Sequence, residues 1–444
     1  MKGRKLGIAI GLVGACLSSP ATWASNGSNL NGWGTSARAY AGAGVALAED
    51  PMVMANNPAG LVALSGRHFQ IGATFLHSAQ SFDATRVPLQ MGMTPPGALT
   101  PQRREADPDV PAEIHDIFPV PFAALSWRLD DRNAVGLAIY GNGGININYK
   151  RFDNPSCPAT TPQSGILCFG TTGSDIAQLF ISPVYARQVN DWLRVGVAPL
   201  LVLQTVEIRG LRSLAPASSD PEHLTNEGHD LAVGYGVKLG VQAQILDNLA
   251  AGLTVQSRLY IDEHESYAGL LAEHGDLDGP AYFQVGLAWE PIENWTLLLD
   301  YQRIYFSEVA AFGNPTDAPA PTAGPEQLYG GDDGPGFGWD DIPMIKVGLR
   351  YQPSPHWVFR AGYADNSPPI EDEDALANFL SNAIYEEHFG AGLTWHPSPH
   401  NSFDLTLVVV PEQTSVAPNP RFPSQKIKQT NSITTVGLSW KRGF

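Results

Sequence analysis

The stretch Leu231-Ala232-Val233-Gly234-Tyr235-Gly236-Val237-Lys238-Leu239-Gly240-Val241 decides the fold. Its odd-numbered residues are large and apolar, while Gly234, Gly236, Lys238 and Gly240 occupy the alternate positions. A period of two is the period of a β-strand, so this segment has one greasy face and one small or polar face. The same arrangement returns at Ile345, Val347, Leu349 and Tyr351 opposite Lys346, Gly348 and Arg350. It returns again at Phe389, Ala391, Leu393 and Trp395 opposite Gly390, Gly392 and Thr394.

Working outward, the connectors between such segments are of two kinds. Short ones sit at Asp130 to Arg132, Asn190-Asp191, Asp247-Asn248, Glu290 to Asn294, Gln352 to His356 and Pro397 to Asn401. Long ones, rich in Pro, Gly and acid, sit at about 83–117, 150–175, 211–228, 263–280, 310–341, 364–386 and 411–431. Six short and seven long connectors in strict alternation join fourteen strands and put both termini on the short-turn side. That is the anatomy of an outer-membrane barrel. The expected fold is all-β: a 14-stranded antiparallel transmembrane β-barrel. A secreted soluble sandwich or propeller is the alternative, and no blade-length repeat supports it.

Composition agrees. The 444 residues carry a net charge of −17, yet only 16% are charged, against about 25% in soluble domains. Beyond the N-terminus no apolar run reaches the ~18 residues of a membrane helix, which excludes a polytopic helical protein. Alternation hides a lipid-facing belt inside a mean hydropathy of −0.11. The acidic balance argues against nucleic acid as a partner, and the 43% hydrophobic content against disorder.

Lys2, Arg4 and Lys5 precede the apolar run Leu6 to Leu17, and Thr22-Trp23-Ala24 supplies small residues before Ser25. Residues 1–24 therefore read as a cleavable signal peptide, with a lipoprotein-like site at Val13-Gly14-Ala15-Cys16 as the rival. Cys157 and Cys168 then remain, and in an oxidising compartment they are expected to form a disulfide. At the other end Val436, Leu438, Trp440 and Phe444 share one face, an ending that resembles the signal read by barrel assembly machinery. Trp127, Trp192, Trp289, Trp295, Trp357, Trp395 and Trp440 lie near short turns or strand ends, as a headgroup girdle requires. The remaining expected surroundings are outer-membrane lipid and lipopolysaccharide around a monomer.

Residues 25–65 do not alternate. Gly32-Trp33-Gly34, the small-residue stretch Ala39 to Ala48 and Asn57-Pro58-Ala59 suit a compact segment folded inside the lumen, with the barrel occupying 66–444. The stretch from Gly32 to Leu61 with its Asn57-Pro58-Ala59 triplet resembles the hatch of the FadL/TodX family of outer-membrane transporters for long-chain fatty acids and other hydrophobic compounds. The likeness extends to Lys346 to Tyr351, Trp357, Arg360 to Tyr363 and Ser367-Pro368, and to the layout of hatch plus fourteen strands. It implies loop capture, lumenal binding, hatch movement and sideways exit through a kinked wall near the third strand. Gly141-Asn142-Gly143-Gly144 is the candidate opening, since glycines in mid-strand weaken pairing and permit a bulge; a merely Gly-rich approach to the next loop is the bland alternative.

By alternation Lys238, Arg258, Lys346, Arg350 and Arg360 face inward, where each is a candidate for holding a ligand carboxylate. Structural ion pairing is the competing role for every one of them. A neutral aromatic or alkane would need none. The chain has no G-x-S-x-G elbow, Walker loop or H-E-x-x-H, so no catalytic residue, cofactor or metal is expected. Acidic runs at Asp332-Asp333, Asp340-Asp341 and Glu371 to Asp374 read as solvated loops, with calcium as the sharper alternative. The hydrophobic ligand is expected to be a fatty acid, or else a neutral hydrocarbon. A general diffusion porin and a phospholipase-like barrel enzyme are the other readings.

Overall fold

The computed structural model describes residues 30–87, 100–105, 118–149, 151–418 (except 152, 154–156, 158, 166, 321, 372, 373, 375, 376 and 382) and 426–444. The expected signal peptide, residues 1–24, lies outside the described residues. Fourteen strands form the wall: β1 Arg67–Val87, β2 Phe118–Arg128, β3 Asn133–Tyr149, β4 Thr172–Gln188, β5 Leu193–Arg209, β6 Asp230–Leu246, β7 Leu249–Gln256, β8 Tyr282–Ile292, β9 Trp295–Ile304, β10 Ile342–Ser354, β11 Trp357–Asn366, β12 Glu387–Ser398, β13 Asn401–Pro418 and β14 Lys426–Gly443. Each pairs antiparallel with the next, and β14 pairs with β1 from His68↔Gly443 to Ala84↔Ile427, which closes the barrel.

The alternation read from the sequence becomes inside and outside. Leu231, Val233, Tyr235 and Leu239 are exposed on the outer face, whereas Ala232, Lys238 and Gln242 are buried on the inner one. Trp192, Trp289, Trp357 and Trp395 are exposed beside the short turns, and Trp357 stacks on its register partner Trp395 at 6.4 Å. The turns are set by Asx chemistry. Asp130 Oδ1 accepts from the N–H groups of Arg132 and Asn133, and Asn190 Oδ1 accepts from Trp192 and Leu193.

Two loops are shorter than expected. β1 runs to Val87 and pairs there with a short strand, Thr100–Glu105, inside the connector read as 83–117. β13 and β14 likewise run into the connector read as 411–431. A hairpin that projects into water has no greasy face to keep, so alternation does not mark it.

The segment Leu30 to Ala63 fills the lumen with two short helices, α1 Thr35–Ala39 and α2 Val53–Asn56, and a 3-10 turn, Pro58–Ala63. It is bonded to well-separated strands of the wall. Thr406 of β13 donates to the Thr35 carbonyl, and the Gly44 and Val45 amides donate to Asp300 of β9. The small inner face is the socket for this hatch. A methyl group at Gly136, Gly196, Gly240, Gly252 or Gly362 would overlap Met54, Pro58, Asn57, Val45 or Tyr40 respectively. Glycine stands there because the hatch packs directly on the wall backbone.

Candidate functional site

On the long-loop side, Ile176, Ile208, Leu214, Leu271, Phe337 and Phe379 line a cleft with about 770 Å³ of unfilled space out to its open mouth. Its few polar groups are turned away from the space: Ser174 Oγ donates to the Leu380 carbonyl and Thr316 Oγ1 to Asp374. Ile145 and Ile176 also line a second, smaller compartment, with Gly144, Gln178, Gln204, Leu277, Asp278 and Phe312. An apolar track therefore leads from the outer loops down to β3.

β3 is where the wall changes. Gly141 pairs with Leu179 and Gly143 with Gln178, so Asn142 is the extra residue of a β-bulge. Glycines on both sides of it allow the backbone to bend without a side-chain clash. The ladder between β2 and β3 ends at Phe122↔Tyr140, while β3 continues along β4 to Tyr149↔Thr172. Gly141 to Tyr149 thus have no register partner on β2 among the described residues. Pro119 and Pro121 of β2 have no N–H with which to extend the ladder.

The hatch closes this gap. The Leu30 amide donates to the Asn142 carbonyl at 3.0 Å, and the Leu30 side chain packs between Val120 of β2 and Ala177 of β4. Trp33 Nε1 donates to Asn142 Oδ1 at 3.1 Å. Its ring stacks on Tyr282 and lies 4.2 Å from Lys238 Nζ, a cation–π contact. The sequence singled out Gly141 to Gly144 but missed Leu30 and Trp33 as their seal. Trp33 between two glycines was the available signal.

The other end of the hatch is held by charge and amide contacts. Asn57 is fully buried. Its Nδ2 donates to the carbonyls of Val45, Val241 and Leu253, and its Oδ1 accepts from the Ala59 amide. Pro58 and Ala59 complete a turn that fits against Gly196. The five cations expected to face inward meet acceptors that belong to the protein. Lys238 Nζ donates to the Ala55 carbonyl at the end of α2. Lys346 stands opposite Asp300 across β9 and β10. Arg350 and Arg360 grip the two oxygens of one hatch carboxylate, Glu49, at 2.5 and 3.1 Å. Arg258 departs from the expected lumenal face: β7 ends at Gln256, and Arg258 lies on the outer connection, paired with Asp278 at 2.5 Å and Asp276 at 3.3 Å. There burial and the neighbouring Asp278 raise the Asp276 carboxyl from 3.8 to about 7. A sixth cation, Arg38 of α1, is buried, donates to Thr435 Oγ1 and meets no carboxylate among the described residues.

Cys157 and Cys168 are joined in a disulfide on the connection after β3. Among the described residues, Asp175, Glu207 and His229 bring possible metal-ligand atoms within 4.8 Å of one another, as do the exposed His274, Glu326 and Asp332. In the first group His229 already bridges both carboxylates and Arg209 pairs with Glu207.

Closed barrel, lumenal hatch and apolar track together define a plugged membrane-spanning barrel. The chain belongs to the family described as outer membrane protein transport protein (OMPP1/FadL/TodX), whose model matches residues 12–439. The family and the barrel place it in the outer membrane. Among solved structures it is similar to the toluene transporter TodX of P. putida, with a TM-score of 0.64 and 15% identity over 94% of this chain and 99% of that one. It is similar to a FadL homologue of Pseudomonas aeruginosa, with a TM-score of 0.65 and 16% identity over 94% and 100%. The toluene transporter TbuX of Ralstonia pickettii follows at a TM-score of 0.57 and 18% identity over 94% and 99%. No curated protein sequence matches the chain.

Proposed function

We propose that the protein moves small neutral hydrophobic molecules from the medium into the outer membrane. They enter the outer cleft, descend to the compartment above Asn142, and leave sideways between β2 and β3 when Leu30 and Trp33 withdraw. The observation that carries this reading is the apolar track, which ends at an edge of β3 unpaired with β2. Each buried CH₂ is worth about 0.8 kcal/mol, so an eight-carbon hydrocarbon gains roughly 6 kcal/mol in such a cleft without any polar anchor. The cations that the sequence offered to a carboxylate are engaged by Glu49, Asp300, Asp276, Asp278 and the Ala55 carbonyl. A diffusion porin would need open water where the hatch is packed. Two of the relatives named above are toluene transporters, which favours transport over catalysis.

The test is uptake of n-octane against octanoate into liposomes carrying the protein at pH 7. Preference for octane supports the reading, and equal or better uptake of octanoate overturns it. One observation favours the fatty-acid alternative: the Arg38 guanidinium, which has buried donors without partners. In that case Arg38→Gln lowers octanoate uptake selectively.

A further inference from the structure

A chain of side-chain amides connects the outer loops to the hatch edge, and all of its donors point the same way. Trp33 Nε1 donates to Asn142 Oδ1, and Asn142 Nδ2 donates to Gln178 Oε1 at 2.8 Å. Gln178 Nε2 donates to Gln204 Oε1 at 2.5 Å. Gln204 Nε2 then has two acceptors, the Leu277 carbonyl at 3.0 Å and His264 Nε2 at 3.1 Å. His264 and Leu277 belong to the same outer connection as Leu270 and Leu271, which line the cleft. The chain crosses β3, β4 and β5 at the level of the bulge.

His264 is completely buried, and burial lowers its imidazole from 6.5 to about 4. It is therefore neutral in ordinary media, and accepting at Nε2 puts its proton on Nδ1, which faces Asp230 at 4.0 Å. Asn142 and Gln204 are buried and Gln178 is half-buried, and each amide satisfies its neighbour, so loss of one link removes a hydrogen bond from the next. Such a chain is also polarised along its length.

Gln178 and Gln204 also line the lower compartment, together with Asp278, whose carboxylate is held by Arg258. An apolar molecule that descends there comes to rest against the Gln178–Gln204 contact. We infer that Gln178 and Gln204 are positioning residues that tie occupancy of the lower compartment to release of the hatch edge: the ligand parts the two amides, Gln178 lets go of Asn142, and Asn142 lets go of Trp33 and Leu30. This inference rests on the lateral exit proposed above. It makes opening of the wall conditional on a ligand that is already in place, so the gap need not stand open to ions.

The test labels Leu30→Cys with N-ethylmaleimide in liposome-reconstituted protein, with and without n-octane, while octane binding is measured in parallel. In the otherwise unchanged chain, octane is expected to speed labelling at least about tenfold, the size of one lost hydrogen bond. In the Gln204→Met chain, compared at an octane concentration that saturates that chain's own binding, the acceleration falls below about twofold, because Gln178 has lost its acceptor. A purely structural role for Gln204 would shift labelling equally with and without octane. An acceleration as large in Gln204→Met as in the parent overturns the relay and leaves lateral exit standing. Absence of acceleration in the parent overturns lateral exit and the relay together. Gln178→Met, read the same way, replaces Gln204→Met if that chain fails to assemble or to bind octane.

Discussion

Replacing Glu49 by Gln removes the carboxylate that two barrel arginines share. In the parent, Arg350 Nε lies 2.5 Å from Oε1 and Arg360 Nε 3.1 Å from Oε2, and Tyr40 donates to Oε2 at 3.0 Å. The Arg360 side chain is 5% exposed and that of Arg350 20%. Breaking a buried ion pair by removing one partner costs about 3–5 kcal/mol, since a charge is left without compensation. Arg360 keeps Thr394 Oγ1 as an acceptor and Arg350 keeps Gln352 and some access to water, so the lower end, about 3 kcal/mol, is the working figure. At 1.4 kcal/mol per decade this raises the population with the hatch unseated by about a hundredfold. The assay is ion conduction across planar bilayers, where a seated hatch blocks current and an unseated one passes it. Glu49→Gln should conduct about a hundredfold more often than the parent. Neutralising all three residues, Glu49→Gln with Arg350→Gln and Arg360→Gln, should recover most of the block because no buried charge remains unpaired. If Glu49→Gln conducts like the parent while the barrel keeps its heat-modifiable mobility on gels, the reasoning about the hatch lock is wrong.

Other changes test the same frame. Asn57→Ala takes away donors to Val45, Val241 and Leu253 and should cost about 2 kcal/mol of hatch seating, read as about thirtyfold faster amide exchange in residues 45–60. Gly240→Ala places a methyl group on Asn57 and Pro58, so the barrel should assemble normally while hatch amides lose protection. The outer connection holding Asp276 should weaken as pH rises. Its carboxyl is raised from 3.8 to about 7 by burial and Asp278, so the folded loop holds a proton that the unfolded loop releases. Stability is whole below about 4 and is lost progressively up to about 7. Limited proteolysis within residues 257–281 should quicken across that window, and Asp276→Asn should flatten the profile.

The barrel was legible because the signal is local: Leu231 to Val241 states its two faces without reference to anything distant. The small inner face was legible too, but its cause was not. Gly240 is small because Asn57 presses on it, and Glu49 matters because Arg350 and Arg360 reach it from 301 and 311 residues away. Such contacts exist only once the barrel has closed around the hatch. For that reason the lumenal cations looked available to a ligand when they were in fact facing Glu49, Asp300 and backbone. Gly141 to Gly144 stood out because glycine is costly in a strand. Which neighbour β3 parts from depended on Pro119 and Pro121, two residues of β2 whose missing N–H groups were in plain view.

The central claim is that molecules leave through the wall between β2 and β3. It is tested most directly by closing that wall. Phe122↔Tyr140 is the last register pair, so Pro121→Cys with Gly141→Cys places two thiols where the next pair would form. With the crosslink oxidised, n-octane uptake should fall at least about tenfold, the scale of one lost decade in rate, and return on reduction, with the parent unaffected by the same treatments. Full uptake through the crosslinked barrel would contradict the account.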